Sequence, residues 1–247
     1  MGKKKILILV SFVVFFLIMT SCGTGLARIS KDRVHGTPQI SESTQSTQVT
    51  ENEKRDSTEI ENPEPVYQED VSKYLTGEGV TMIGDSIMNG NRRIILDQLP
   101  DAHIDAKGSR DVCGGFEAAQ RLDWEGRLSD VVIVELGTNG PLLNHEPYAS
   151  GTQNLLELLG TERTIFWVTV YCSYSQWMNM NNDYIWELAA TRPNITVIDW
   201  YSLSVQHPEW FPDGVHPNVE GARNFARLLR EALETKFGAS EVVSNLN

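Results

Sequence analysis

Three short pieces of this sequence carry side chains that could do covalent chemistry together. Ile83-Gly84-Asp85-Ser86 ends an apolar run that starts at Val80. Glu135-Leu136-Gly137-Thr138-Asn139-Gly140 follows a second apolar run, Val131 to Val134. Asp213-Gly214-Val215-His216 comes last, just before an amphipathic stretch. A serine hydroxyl is a poor nucleophile near neutral pH and needs an adjacent base. His216 can supply that base. Asp213, one turn earlier, can hold the imidazole tautomer and stabilise the imidazolium. Gly214 gives the tight backbone that lets both side chains face one way. Asn139 can donate its side-chain amide to an oxyanion, together with the backbone amides of Ser86 and of the Gly108-Ser109 turn. Losing one such donor typically costs about 10²–10³ in rate. These are the parts of a serine acyl-transfer site.

Each part also has a plain structural reading. Ser86 could be a helix N-cap. Asp213 and His216 could be a loop acid and a surface imidazole before Pro217. Asn139 could belong to an ordinary Asn-Gly turn. The elements that must position them favour the chemical reading. Strand candidates fall at 80–83, 102–106, 131–136, 165–170 and 196–199, and three of them are nearly continuous β-branched runs, the pattern of strands buried on both faces. Helix candidates lie between them at 115–122, 152–159 and 184–190, with a last one at 219–237. That last one places Ala222, Phe225, Ala226, Leu229 and Leu233 at helical spacing. Arg227 and Glu231 stand four apart on its polar face, where an ion pair contributes little. Strands and helices in alternation predict a parallel sheet covered on both faces. In such sheets ligands bind beyond the carboxyl ends of the strands. Ser86, Asn139 and the Gly108-Ser109 turn all fall just past such ends.

The ends of the chain read differently from its middle. Met1-Gly2-Lys3-Lys4-Lys5 is followed by the apolar stretch Ile6 to Met19, broken only by Ser11, and then by Thr20-Ser21-Cys22-Gly23. A basic start, an apolar segment and small residues at its exit describe a secretory leader, here 1–21. The apolar stretch is short for a membrane span, which takes about 20 residues. Cys22 in that setting resembles a bacterial lipobox, in which it is diacylated and becomes the mature N-terminus. A plain leader with an incidental cysteine and an uncleaved anchor are the other readings, and all three place the remainder outside the cytoplasm. Residues 22–71 are rich in Ser, Thr, Glu and Gln, with few large apolar side chains, so they cannot offset the entropy of ordering. They read as a tether, whose flexible part has a root-mean-square span of roughly 35–40 Å. Residues 72–238 form one domain by size, and 239–247 a flexible tail.

The chain carries a net charge of −12. Loss of the leader lysines makes the remainder more acidic still, which repels nucleic-acid phosphates and suits a neutral or cationic substrate. Cys113 and Cys172 either pair in an oxidising compartment or remain two buried thiols, and neither has metal-ligand spacing. His103, His145 and His207 form no spaced ligand set, so no metal is expected. Trp177, Trp200, Trp210, Phe211, Tyr171 and Tyr174 cluster after the fourth and fifth strands. Aromatic rings at a rim stack on sugars, and aromatic rings also fill cores. Trp177 and Trp210 are the candidate sugar contacts.

Taken together, Gly84-Asp85-Ser86, Gly137-Thr138-Asn139 and Asp213-x-x-His216 resemble the blocks of the SGNH (GDSL-like) hydrolase superfamily, over about residues 81–237. The resemblance implies a flavodoxin-like three-layer α/β/α sandwich with about five parallel strands. It implies a Ser86-His216-Asp213 triad with no metal or organic cofactor. The glycine of that superfamily's second block corresponds to Gly108 or Ser109. Thr81 to Met88, Ile104 to Lys107, Glu135 to Gly140, and Val197-Ile198-Asp199-Trp200-Tyr201 with His207-Pro208 and Asp213 to Pro217 look like the extracytoplasmic domain of peptidoglycan O-acetyltransferases. That closer resemblance implies acetyl transfer to or from wall-sugar hydroxyls through an acyl-Ser86 intermediate. It also implies a cell-wall glycan or other acylated carbohydrate as partner, with a separate membrane protein as acyl donor. In that family the domain usually follows a multi-helix membrane acyltransferase, a pattern from which this sequence departs. A carbohydrate O-acetylesterase, a lipid esterase or thioesterase, and a non-catalytic wall-binding lipoprotein are the rival readings. Retention of the serine, histidine, aspartate and asparagine together weighs against the last.

Overall fold

The computed structural model describes residues 70–238. The expected leader, Cys22, most of the tether and the tail lie outside these residues. The described chain opens with a 3₁₀ turn, Val71–Leu75, capped by the Asp70 carboxylate. Five strands follow in alternation with helices. They are β1 (Val80–Gly84), β2 (His103–Ala106), β3 (Val131–Glu135), β4 (Thr164–Val168) and β5 (Ile195–Ile198). Two short helices, α1 (Ser86–Gly90) and α2 (Arg92–Gln98), join β1 to β2. The longer ones are α3 (Val112–Trp124), α4 (Tyr148–Leu159) and α5 (Met178–Thr191), with α6 (Trp200–Ser204) and α7 (Val219–Leu233) at the end.

All strand pairs are parallel, in the order β2-β1-β3-β4-β5. This is the flavodoxin-like winding, in which the strand order reverses beside β1. The period-2 alternation of strand side chains sorts the core into two layers. Met82, Ile133, Phe166 and Val168 point to one face, where Ile87, Ile95, Trp200 and Phe225 of α1, α2, α6 and α7 cover them. Ile83, Val132, Val134 and Trp167 point to the other, under Ala119, Leu155 and Ile185 of α3, α4 and α5. The α/β/α sandwich is therefore written in the strands themselves.

Element boundaries shift outward at most helices. Helix α3 starts at Val112 because Asp111 accepts from the Gly114 N–H as its N-cap. Helix α7 buries the expected stripe, and its Arg227 and Glu231 do pair, at 2.8 Å on the surface. Its α-helical part stops at Leu233. A single π-helical turn, Glu234–Gly238, then swings Phe237 onto Tyr74 with ring centroids 4.6 Å apart. Cys113 and Cys172 are free thiols, with Cys172 buried. Among the described residues no helix is long and apolar enough to cross a membrane, and no His, Cys, Asp and Glu cluster could hold a metal.

Candidate active site

The carboxyl ends of β1, β2 and β3 meet at one rim, where the register sets Gly84 opposite both Ala106 and Glu135. Ser86 is the first residue of α1 and stands half-buried on that rim. Asp85 before it is fully buried and accepts from the Ile87 N–H at 2.8 Å, which caps the helix. Gly84 is required by close approach. A Cβ there would lie 2.6 Å from Met88 and 2.9 Å from the Glu135 carboxylate.

Ser86 and His216 are 130 residues apart in sequence, and the fold joins them. His216 Nε2 lies 2.9 Å from Ser86 Oγ, and His216 Nδ1 lies 2.7 Å from Asp213 Oδ2. The other Asp213 oxygen accepts the backbone N–H groups of His216 (2.8 Å) and Val215 (3.0 Å). The His216 N–H and ring, then the Val215 N–H, hold the Asp213 carboxyl down at about 2. An ionised Asp213 requires the proton on Nδ1, so Nε2 faces Ser86 as an acceptor. That is the tautomer a general base needs. Gly214 has φ +84°, a left-handed conformation suited to glycine, and any Cβ there would strike the Ser173 hydroxyl. The Ser173 N–H donates to the Gly214 carbonyl at 2.9 Å, so the loop after β4 props the histidine loop. Asn218 caps α7 just beyond and fixes the loop's other end.

Asn139 sits half-buried on the loop after β3. Its Nδ2 donates to Asp85 Oδ2 at 2.9 Å and to the Arg110 carbonyl at 3.2 Å. Both amide hydrogens are thus occupied, and only the longer bond can be exchanged for a substrate oxygen without exposing a buried carboxylate. Arg110 reaches back to the Gly84 and Asp105 carbonyls and the Asp105 carboxylate, tying the ends of β1 and β2 together. Gly108 and Ser109 lie on the exposed turn just before it, and Ser109 takes the left-handed backbone, φ +55°. With Lys107, Arg110, Asp111 and Arg121 they line an open groove of about 600 Å³.

The two candidate sugar contacts part company. The half-buried Trp177 donates its indole N–H to the Thr138 carbonyl at 3.3 Å, next to Asn139. Trp210 is a core residue, 4% exposed, stacked at 4.0 Å on His207 and parallel to Trp200. The sugar role expected for Trp210 is therefore corrected. The aromatic cluster after β5 fills the space under α7, and the rim aromatic is instead Tyr174, 69% exposed and packed near Gly214. Three polar residues that hold the site were not singled out by sequence reasoning. The Asn181 amide bridges the Gly137 and Gly140 carbonyls, and its oxygen accepts the Leu142 N–H, pinning the asparagine loop. Asn182 pairs with both backbone groups of Val170. Glu135 accepts from the Asp85 and Met88 N–H groups beneath Ser86. The available signal was polarity where burial is required: a carboxylate closing an apolar strand, and paired asparagines in a helix.

The GDSL-like Lipase/Acylhydrolase family model matches residues 82–223. O-acetyltransferase OatA of Staphylococcus aureus is 30% identical over 157 residues, which is 62% of this chain and 25% of that protein. Peptidoglycan O-acetyltransferase OatA of Listeria monocytogenes is 32% identical over 152 residues, 61% of this chain and 23% of that protein. The chain thus spans about a quarter of the length of these curated relatives. Among solved structures, the C-terminal catalytic domain of Streptococcus pneumoniae peptidoglycan O-acetyltransferase A, with a methylsulfonyl adduct, superposes with a TM-score of 0.58 at 26% identity. That match covers 64% of this chain and 94% of that domain.

Proposed function

This chain belongs to the GDSL-like lipase/acylhydrolase family, and from that premise we propose that it moves acetyl groups to or from the sugar hydroxyls of cell-wall peptidoglycan through an acyl-Ser86 intermediate. The observation that carries the reading is the continuous hydrogen-bonded chain Ser86–His216–Asp213, set at the rim of a sheet that superposes on a peptidoglycan O-acetyltransferase catalytic domain. In the reaction, Ser86 Oγ attacks the acyl carbonyl while His216 Nε2 takes its proton. Asp213 holds the imidazolium. The Ser86 N–H, the Gly108-Ser109 turn and Asn139, released from the Arg110 carbonyl, receive the oxyanion. The tetrahedral adduct collapses, and His216 returns the proton to the departing oxygen. A second hydroxyl, deprotonated by His216, then takes the acyl group from Ser86. No metal or organic cofactor enters this sequence.

The acceptor decides between transferase and esterase. The side chains of His216 and Asp213 are 48% and 55% exposed, so water reaches the base in the absence of a sugar. That observation favours hydrolysis as the second reading, with an acetylated glycan as substrate. Trp177, bonded to the Thr138 carbonyl beside Asn139, and the exposed Tyr174 near Gly214 support assigning them the role of holding a sugar ring that covers the base and excludes that water. The leader and Cys22 support an extracytoplasmic, lipid-anchored placement on a bacterial membrane, with a separate membrane protein as acetyl donor.

The test is to incubate the full chain with p-nitrophenyl acetate, with and without a chitin-type oligosaccharide, and to weigh the sugar by mass spectrometry. The expected result is an acetylated oligosaccharide that is absent with Ser86→Ala. Acetate release unaffected by sugar assigns the esterase. Full activity of Ser86→Ala removes the acyl-serine mechanism.

A further inference from the structure

We propose that Glu135 is a positioning residue for acyl transfer: it clamps the nucleophile turn from below, holding Asp85 and, through it, both Ser86 and Asn139. The role rests on the reading of Ser86 as nucleophile.

Glu135 closes β3, whose other four residues are apolar, and lies 5% exposed under α1. Its Oε2 accepts from the Asp85 N–H at 3.0 Å and from the Met88 N–H at 3.4 Å. These amides flank Ser86 in the turn. The Glu135 and Asp85 carboxyls are also hydrogen-bonded to each other. Two buried carboxylates cannot both be ionised in contact. Burial, and then the neighbouring Asp85, push the Glu135 carboxyl well above the usual range, so Glu135 carries the shared proton and donates it to Asp85. Asp85 is then the acceptor it has to be. It receives the Ile87 N–H through one oxygen and the Asn139 amide through the other. Gly84 is the other half of the device, since a side chain there would collide with the Glu135 carboxylate. None of these bonds touches a substrate. Their effect is to fix where Ser86 Oγ and the Asn139 amide stand relative to His216, and a misplacement of about 1 Å in such a constellation can cost about 10²-fold in rate.

The full chain is compared with Glu135→Gln and Glu135→Leu by kcat and KM on p-nitrophenyl acetate, by thermal unfolding, and by hydrogen exchange at the Asp85 and Met88 amides. Glutamine keeps an acceptor for the two amides and a donor for Asp85, as the protonated acid does. It is expected to lose less than about 10-fold in kcat and to keep both amides protected. Leucine keeps the bulk and loses every polar contact. It is expected to lose about 10²-fold in kcat with KM little changed, and to expose the two amides while β1 and β3 stay protected. A Glu135→Leu chain that folds and keeps its kcat overturns the proposal. A folded Glu135→Gln chain as inactive as Glu135→Leu overturns it as well, because a neutral donor would then not suffice. A wild-type chain silent toward both the ester and a fluorophosphonate overturns the acyl-serine reading itself, and this role with it. The proposal is upheld by rescue in glutamine together with loss in leucine.

Discussion

At the scale of single residues, geometry assigns the Asp213 carboxylate one task, to hold His216 as a base. Asp213 is exposed and held ionised by two backbone amides and the His216 ring. Its pKa is depressed from 3.8 to about 2, so whatever the ionised form contributes is complete above the ordinary value and is lost only as pH falls through about 2. A carbon-detected NMR titration of Asp213 should therefore show a midpoint near 2. A midpoint at the ordinary value would mean the two backbone bonds are not held in solution. Activity lost between neutrality and pH 4 is then not a consequence of protonating Asp213. Asp213→Asn keeps an acceptor for the amides but presents an N–H₂ to the ring, which reverses the tautomer. Its kcat should fall by about 10⁴ with thermal stability little changed. Ser86→Ala should abolish fluorophosphonate labelling without unfolding the domain.

At the scale of elements, each site residue is held by a loop whose own hydrogen bonds can be cut. Asn181→Ala removes three bonds from the segment 137–142 and should lower kcat through Asn139 while leaving Ser86 labelling measurable. The two tryptophans separate by readout. Trp177→Ala should raise KM for an oligosaccharide, by the few-fold that about 1 kcal/mol of ring stacking represents. Trp210→Ala should instead unfold the domain more easily by about 3–5 kcal/mol, seen in a denaturant melt. Sequence reasoning could not separate this pair because both rings follow strands, and burial depends on where the chain turns afterward. Trp210 is folded back under α7 by the bond from the Asn218 N–H to its carbonyl. Strand positions were legible for the opposite reason: β3 and β4 are covered on both faces, so the runs 131–134 and 165–168 have no polar gaps, and β1 is broken only by the buried Thr81. The nucleophile and histidine blocks were legible from residue type and spacing, whereas the Glu135 clamp depends on register between β1 and β3. The start of α3 was blurred because capping by Asp111 looks like any loop acid, whereas α7 begins at Val219 as its periodicity predicts.

At the scale of the whole molecule, the proposed anchoring has its own test. Cys22→Ala, expressed in a lipoprotein-processing bacterium, should no longer incorporate labelled fatty acid, and its esterase activity should move from the membrane to the soluble fraction. Persistence of the label would remove Cys22 as the acylated residue. The hydrogen bond from Ser86 to His216 spans 130 residues, from the first helix of the sheet to the loop before the last. On the proposed secretory route, export from the N-terminus presents the nucleophile to the outside long before it presents the base. Contacts of such sequence separation close late in folding. Refolded protein should therefore show a lag before ester turnover, ending only when α7 has docked. Under the proposed export, the enzyme is inert throughout its own synthesis and passage, and it acquires the power to modify its surroundings in the same step that completes it.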